Sequence, residues 1–158
     1  MHPWKHNQTW SVGGLWQVGF AEDSDLLIVL THSGRGIFDC LTGERVARDY
    51  TEGYEFFNQV KLTVQGFGPL EGQLIHTSGL YGGGLLRLTE DYWQVEDDAK
   101  NSRIYLRPPS NSEDHFTEAA PIGDYSVVEL RAYGFSETGR SLVIATSADL
   151  TIFSRVLP

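Results

Sequence analysis

No apolar pattern in this chain runs far before a turn signal cuts it. The longest aliphatic run is Leu26-Leu27-Ile28-Val29-Leu30, bracketed by Glu22-Asp23-Ser24-Asp25 and Ser33-Gly34-Arg35. Thr42-Gly43-Glu44, Gly68-Pro69 and Gly82-Gly83-Gly84 punctuate the rest in the same way. Apolar runs this short, recurring about every ten residues between turns, are the pattern of antiparallel β-structure. No stretch carries apolar residues at helical spacing, and Lys occurs only at positions 5, 61 and 100. The chain therefore predicts an all-β fold with little helix, its meanders packed as propeller-like sheets or as a sandwich or barrel.

Strands are expected at 17–21, 26–32, 36–40, 45–49, 60–66, 73–77, 85–89, 93–96, 104–107, 126–132, 142–146 and 151–155. The 158 residues suit one domain spanning 1–158, which buries about 68–70% of its unfolded surface. The stretch 108–123 holds three of the six prolines and reads as a long surface loop, with one helical turn at 112–119 capped by Ser112. Ser33-Gly34-Arg35-Gly36 reads as a type I′ or II′ hairpin turn. The segment 79–84 reads as a wide turn, since no helix follows to cradle a phosphate.

An ungapped internal repeat appears at an offset of 115. Val12, Leu15, Gly19, Phe20, Glu22, Leu27, Thr31, Ile37 and Phe38 match Val127, Leu130, Gly134, Phe135, Glu137, Leu142, Thr146, Ile152 and Phe153. Meander units are expected near 12–49 and 127–155. Cys40-Leu41-Thr42-Gly43-Glu44 and Phe135-Ser136-Glu137-Thr138-Gly139-Arg140 stand where propeller blades of the WD-repeat or quinoprotein type carry their turns, and the units resemble such blades. The Gly-His and Trp-Asp signatures of WD repeats are absent, and the chain is short for a closed ring of at least four blades of roughly 40 residues.

Charge narrows the function classes. Twelve Lys and Arg face 21 Asp and Glu, a net charge of −9. Nucleic acid and anionic membrane both demand a basic surface, so neither is an expected partner. The opening Met1–His6 lacks the apolar core of a signal peptide, and the chain reads as cytoplasmic and monomeric. A lone cysteine excludes an internal disulfide. Cys40 lies beside Asp39 with no cation near it in sequence, so its thiol is expected to be inert. His2, His6, His32, His76 and His115 are scattered, with His2 and His6 in a frayed terminus, so no metal site and no cofactor is expected.

The acids carry the better signal. Glu90, Asp91, Glu96, Asp97 and Asp98 enclose Tyr92 and Trp93. Asp49, Glu52 and Glu55 interleave with Tyr50, Tyr54, Phe56 and Phe57. Aromatics among acids suit docking of a basic protein, because rigid rings supply contact area and the acids steer encounter. The competing explanation is solvated loops whose aromatics turn into the core. Trp4, Trp10 and Trp16 recur every six residues and would share a face of one strand, as a sugar platform or as core anchors.

Pro3-Trp4, Thr9-Trp10-Ser11-Val12-Gly13-Gly14-Leu15, Val18-Gly19-Phe20-Ala21, Ser33–Cys40 and the closing Phe135–Ser147 resemble small stand-alone bacterial proteins, the immunity proteins of contact-dependent or polymorphic toxin systems. The resemblance implies a cytoplasmic inhibitor of one cognate toxin domain, often a nuclease, with no catalytic residues of its own. On that reading the interface comprises Glu90, Asp91, Tyr92, Trp93, Glu96, Asp97 and Asp98, with Tyr54 and Glu55 as a second patch. The alternatives are a carbohydrate-binding module built on the tryptophans and a hydrolase with carboxylates assembled from loops.

Overall fold

The computed structural model describes residues 3–110 and 119–158. Its strands are β1 (Lys5–Ser11), β2 (Leu15–Phe20), β3 (Leu26–Thr31), β4 (Gly34–Asp39), β5 (Glu44–Asp49), β6 (Phe57–Asn58), β7 (Thr63–Gln65), β8 (Leu74–His76), β9 (Ser78–Gly79), β10 (Gln94–Asp98), β11 (Arg103–Arg107), β12 (Ala120–Asp124), β13 (Leu130–Phe135), β14 (Ser141–Thr146) and β15 (Asp149–Ser154). The only helical segments among the described residues are 3₁₀ turns at Gly53–Phe56 and Gly68–Leu70. The fold is all-β, and its strands form four antiparallel sheets, none closed into a barrel: β5-β4-β3-β2-β9, β6-β7-β8, β10-β11-β12 and β1-β15-β14-β13.

The aliphatic runs of β3 and β14 are buried on both faces, which is why they do not alternate with polar residues. Leu27 and Val29 pack toward Val143, Ala145, Leu150 and Ile152. Ile28 and Leu30, on the opposite face of β3, pack on Val64, Leu70 and Ile75. Leu142 and Ile144, on the other face of β14, meet Val95, Ile104 and Leu106. The sheets containing β3 and β14 are thus the inner layers, covered outside by β6–β8 and β10–β12. Each such aliphatic side chain contributes about 1.5–3 kcal/mol on burial.

Adding 115 to the bounds of β2, β3 and β4 gives those of β13, β14 and β15. The correspondence reaches single bonds. Cys40 N–H donates to Asp25 O at 3.0 Å, and Arg155 N–H to Arg140 O at 2.9 Å. Thr31 Oγ1 accepts from Ser33 N–H at 3.1 Å, and Thr146 Oγ1 from Ala148 N–H at 3.1 Å.

Several local expectations are corrected. The N-terminal segment is no frayed tail: β1 pairs along β15, with His6 opposite Phe153. Residues 120–123 of the expected loop belong to β12. It tolerates Pro121 because it is the edge strand of its sheet and needs no ladder hydrogen bond on its outer side. The expected cap and helical turn at 112–119 lie outside the described residues, save Ala119. Residues 85–89 form no ladder; Leu86 makes a single bridge to Phe135 and Leu88 one to Gln94. The β3–β4 turn places His32 and Ser33 between Thr31 and Gly34. Neither has positive φ, so the turn is not of a primed type; the Thr31 hydroxyl holds it instead.

Candidate partner-binding site

Residues 85–89 cross from β13 to β10 and raise a short turn above the core. Leu86 O accepts from Phe135 N–H at 2.8 Å, and Thr89 N–H donates to Trp93 O at 2.9 Å. The turn closes when Trp93 N–H donates to Thr89 Oγ1 at 2.8 Å. Its tip presents Glu90, Asp91 and Tyr92. Tyr92 holds φ +72° and is 69% exposed. That is a rare conformation for a bulky residue.

The seven acids and aromatics expected at one interface separate into different roles. Trp93 is buried, edge-on to Trp4 at 6.3 Å between ring centroids, and is a core residue. Asp91 accepts a two-pronged contact from Arg155, whose Nη1 and Nη2 lie 2.6 and 2.7 Å from its oxygens. Arg155 Nε donates to Gly139 O at 2.8 Å, and its guanidinium lies 4.8 Å from the Trp4 ring centre. This contact holds the Asp91 carboxyl well below the ordinary carboxylate range. Glu96 accepts from Arg107 at 2.8 and 3.3 Å, which lowers the one pKa and raises the other. Asp97 accepts from the Tyr125 hydroxyl at 2.5 Å. Burial, then that contact, pushes Tyr125 up to about 12. Asp98 closes the β10–β11 turn by accepting from Asn101 Nδ2 at 2.8 Å. Glu90, Asp91, Tyr92 and Asp97 are exposed.

Beside the turn lies a groove of about 450 Å³, lined by Leu86, Leu88, Glu90, Asp91, Glu137 and Leu157 among others. Leu86, Leu88 and Leu157 are 48%, 51% and 36% exposed. The groove is an apolar trough with acids on its rim. Glu137 was visible in the sequence only as the repeat partner of Glu22, and nothing there marked it as a rim residue. The exposed leucines gave no warning either, because their pattern is that of a buried strand.

The second cluster is built differently. Tyr54 stacks on the buried Trp16 at 4.8 Å and 12°, and a contact with Tyr81 together with burial raises its hydroxyl pKa. Phe57 also packs against Trp16. Phe56 covers the guanidinium of Arg35 at 3.6 Å, and Asp49 pairs with that arginine at 2.6 Å. Glu55 is exposed. Here Phe56 and Phe57 pack on the core, while Tyr50 and Tyr54 stay 76% and 51% exposed, and this cluster sits on a different hydrophobic cluster from Trp93.

The three N-terminal tryptophans do not share a face. Trp4 belongs to the cluster with Trp93, Trp10 packs beside the β3–β14 core, and Trp16 lies with Ile28 and Val64. They are core anchors, and no stacked platform forms. Cys40 is fully buried. Desolvation, then Asp25 and Asp39, raises its thiol well above the ordinary value. No group of three or more potential metal ligands occurs among the described residues; His2 and His115 lie outside them. No helix of the described residues is long and apolar enough to cross a membrane. Asp49, Asp91, Glu96 and Asp124 are all held below the ordinary carboxylate range. That shift keeps a carboxylate charged for recognition and does not prepare it as a general acid. No protein-family model matches the chain, and neither a curated protein nor a solved structure matches it significantly.

Proposed function

We propose that the chain is a cytoplasmic, immunity-type inhibitor that captures a basic protein, a cognate toxin domain such as a nuclease, at the groove beneath the Thr89–Trp93 turn. The observation that carries this reading is the trough itself, which combines three exposed leucines with Glu90, Asp91 and Glu137, next in the chain to Tyr92, an exposed aromatic residue on a left-handed backbone. Tyrosine anchors over apolar floors dominate binding energy at interfaces. Rim carboxylates act mainly on association rate. Nuclease domains carry the basic surfaces that phosphate binding demands, so the signs are complementary. Asp91 contributes by holding the turn on Arg155, and Asp97 and Asp98 contribute negative field from β10.

The test is co-expression with the toxin encoded beside the gene, followed by kinetics on the purified pair. Reversal of Glu90 and Glu137 to lysine is expected to slow association at least about tenfold at low salt and to flatten its salt dependence. Unchanged association and unchanged protection of growth would overturn the assignment of this groove.

A further inference from the structure

At the β3–β4 hairpin, beside its exposed turn residue Ser33, lies a small concavity with the other sign of charge. It encloses about 130 Å³ and is walled by Trp10, Thr31, Ser33, Phe38, Arg45 and Arg48 around Gly36, with no carboxylate in its lining. A β-bulge creates it. In the β4–β5 ladder Ile37 faces Ala47 but Phe38 faces Arg45, so Val46 is the extra residue. Arg48 faces Gly36 and Arg45 faces Phe38. Gly36 and Phe38 are two apart on β4 and so share a face. Without the bulge, arginines three apart would point to opposite faces. With it, both stand on the face of β4 that carries Gly36, which has no side chain.

The two guanidiniums are steadied without being neutralised. Arg45 lies 5.6 Å from the Trp10 ring centre and Arg48 lies 4.8 Å from that of Tyr50. Arg48 Nη2 also donates to Ser33 Oγ at 3.1 Å. Four other arginines, 35, 107, 131 and 155, are paired with carboxylates. Arg45 and Arg48 make no such pair among the described residues. Like charges side by side on a sheet destabilise it. In a chain with 21 acids against 12 bases, these two arginines share one hollow whose lining holds no carboxylate.

We infer that this hollow is a binding site for a single phosphate group. A water's share of liquid is about 30 Å³, so the space holds about four waters or one tetrahedral oxyanion, and it is too small for a whole drug-sized ligand. The guanidinium forks supply charge-assisted donors in the geometry that phosphate oxygens accept, and the Ser33 hydroxyl adds another. The phosphate is either the free ion or the terminal group of a small metabolite whose remainder lies outside. This site is independent of the groove proposed for the toxin.

The whole chain is titrated with inorganic phosphate, and separately with a nucleoside monophosphate, at ionic strength held constant with chloride. Calorimetry and phosphorus NMR report binding. One saturable equivalent is expected. Tighter binding of the monophosphate identifies a phosphorylated metabolite as the source, and equal or weaker binding identifies the free ion. The double change Arg45→Gln with Arg48→Gln is expected to weaken phosphate at least about tenfold, whereas Arg103→Gln leaves it unchanged. Thermal unfolding verifies that each variant folds, and the two single changes carry the test if the double one does not. Phosphate binding no stronger than chloride, binding retained in the arginine variants, or an equal loss in Arg103→Gln would overturn the site.

Discussion

Tyr92 concentrates the tension between stability and function in one residue. Its left-handed backbone costs a tyrosine about 1 kcal/mol or more, and its exposed ring recovers little by packing. Tyr92→Asn is therefore expected to raise the free energy of unfolding by about 0.5–1 kcal/mol in urea denaturation while weakening capture of the basic partner. A loss of stability would show that the ring packs inward. Acid sensitivity is set at the same scale. Asp91, Asp49 and Glu96 bind protons less readily folded than unfolded, because Arg155, Arg35 and Arg107 hold their charged forms. The unfolded chain takes up more protons on acidification, so their contribution is complete at neutral pH. It is lost progressively as pH falls below about 4. Asp91→Asn should lower the melting temperature at neutral pH and give a shallower decline below about pH 4; parallel curves would show that the Arg155 contact is energetically idle.

At the scale of elements, the repeat explains why two glycines are irreplaceable. A Cβ at Gly19 would stand 2.1 Å from His76 O, and one at Gly134 would stand 2.5 Å from both Leu85 Cβ and Leu86 O. Each meander thus presses another segment against the same strand position. Gly134→Ala is expected to cost about 1–3 kcal/mol, measured by chemical denaturation, and to displace residues 85–89, which carry the turn at Glu90. A neutral effect would mean that those residues do not hold their place on β13. Elements with strong apolar runs, β3 and β14, were readable from sequence because burial on both faces leaves no ambiguity. β1 was not, since Lys5–Ser11 is polar and becomes a strand only when β15, from the far end of the chain, offers an edge. Residues 85–89 look like a strand, yet they divide their bonds between two sheets and complete neither ladder.

At the scale of the whole molecule, one buried carboxylate ties the two meanders together. Asp25 Oδ1 accepts from Ser136 Oγ at 2.9 Å, Thr138 Oγ1 at 2.8 Å and Ser141 Oγ at 2.6 Å, so the β2–β3 turn is fastened to the β13–β14 turn across more than a hundred residues. Asp25→Ala strands these hydroxyls and should cost about 3 kcal/mol. A loss below about 1 kcal/mol in calorimetric unfolding would show that water replaces the carboxylate. In the sequence Asp25 was one acid in a polar turn. By itself the sequence determined the all-β class, the repeat and the excess of negative charge, because these follow from local patterns and from composition. Only the tertiary structure decided which acids are already engaged, since Arg155, Arg107 and Tyr125 reach Asp91, Glu96 and Asp97 from elsewhere in the chain. It alone sent Trp93 into the core, left Leu86 and Leu88 outside, and set Arg45 and Arg48 over Gly36, because burial and bulge register depend on what packs against a strand as well as on its own residues.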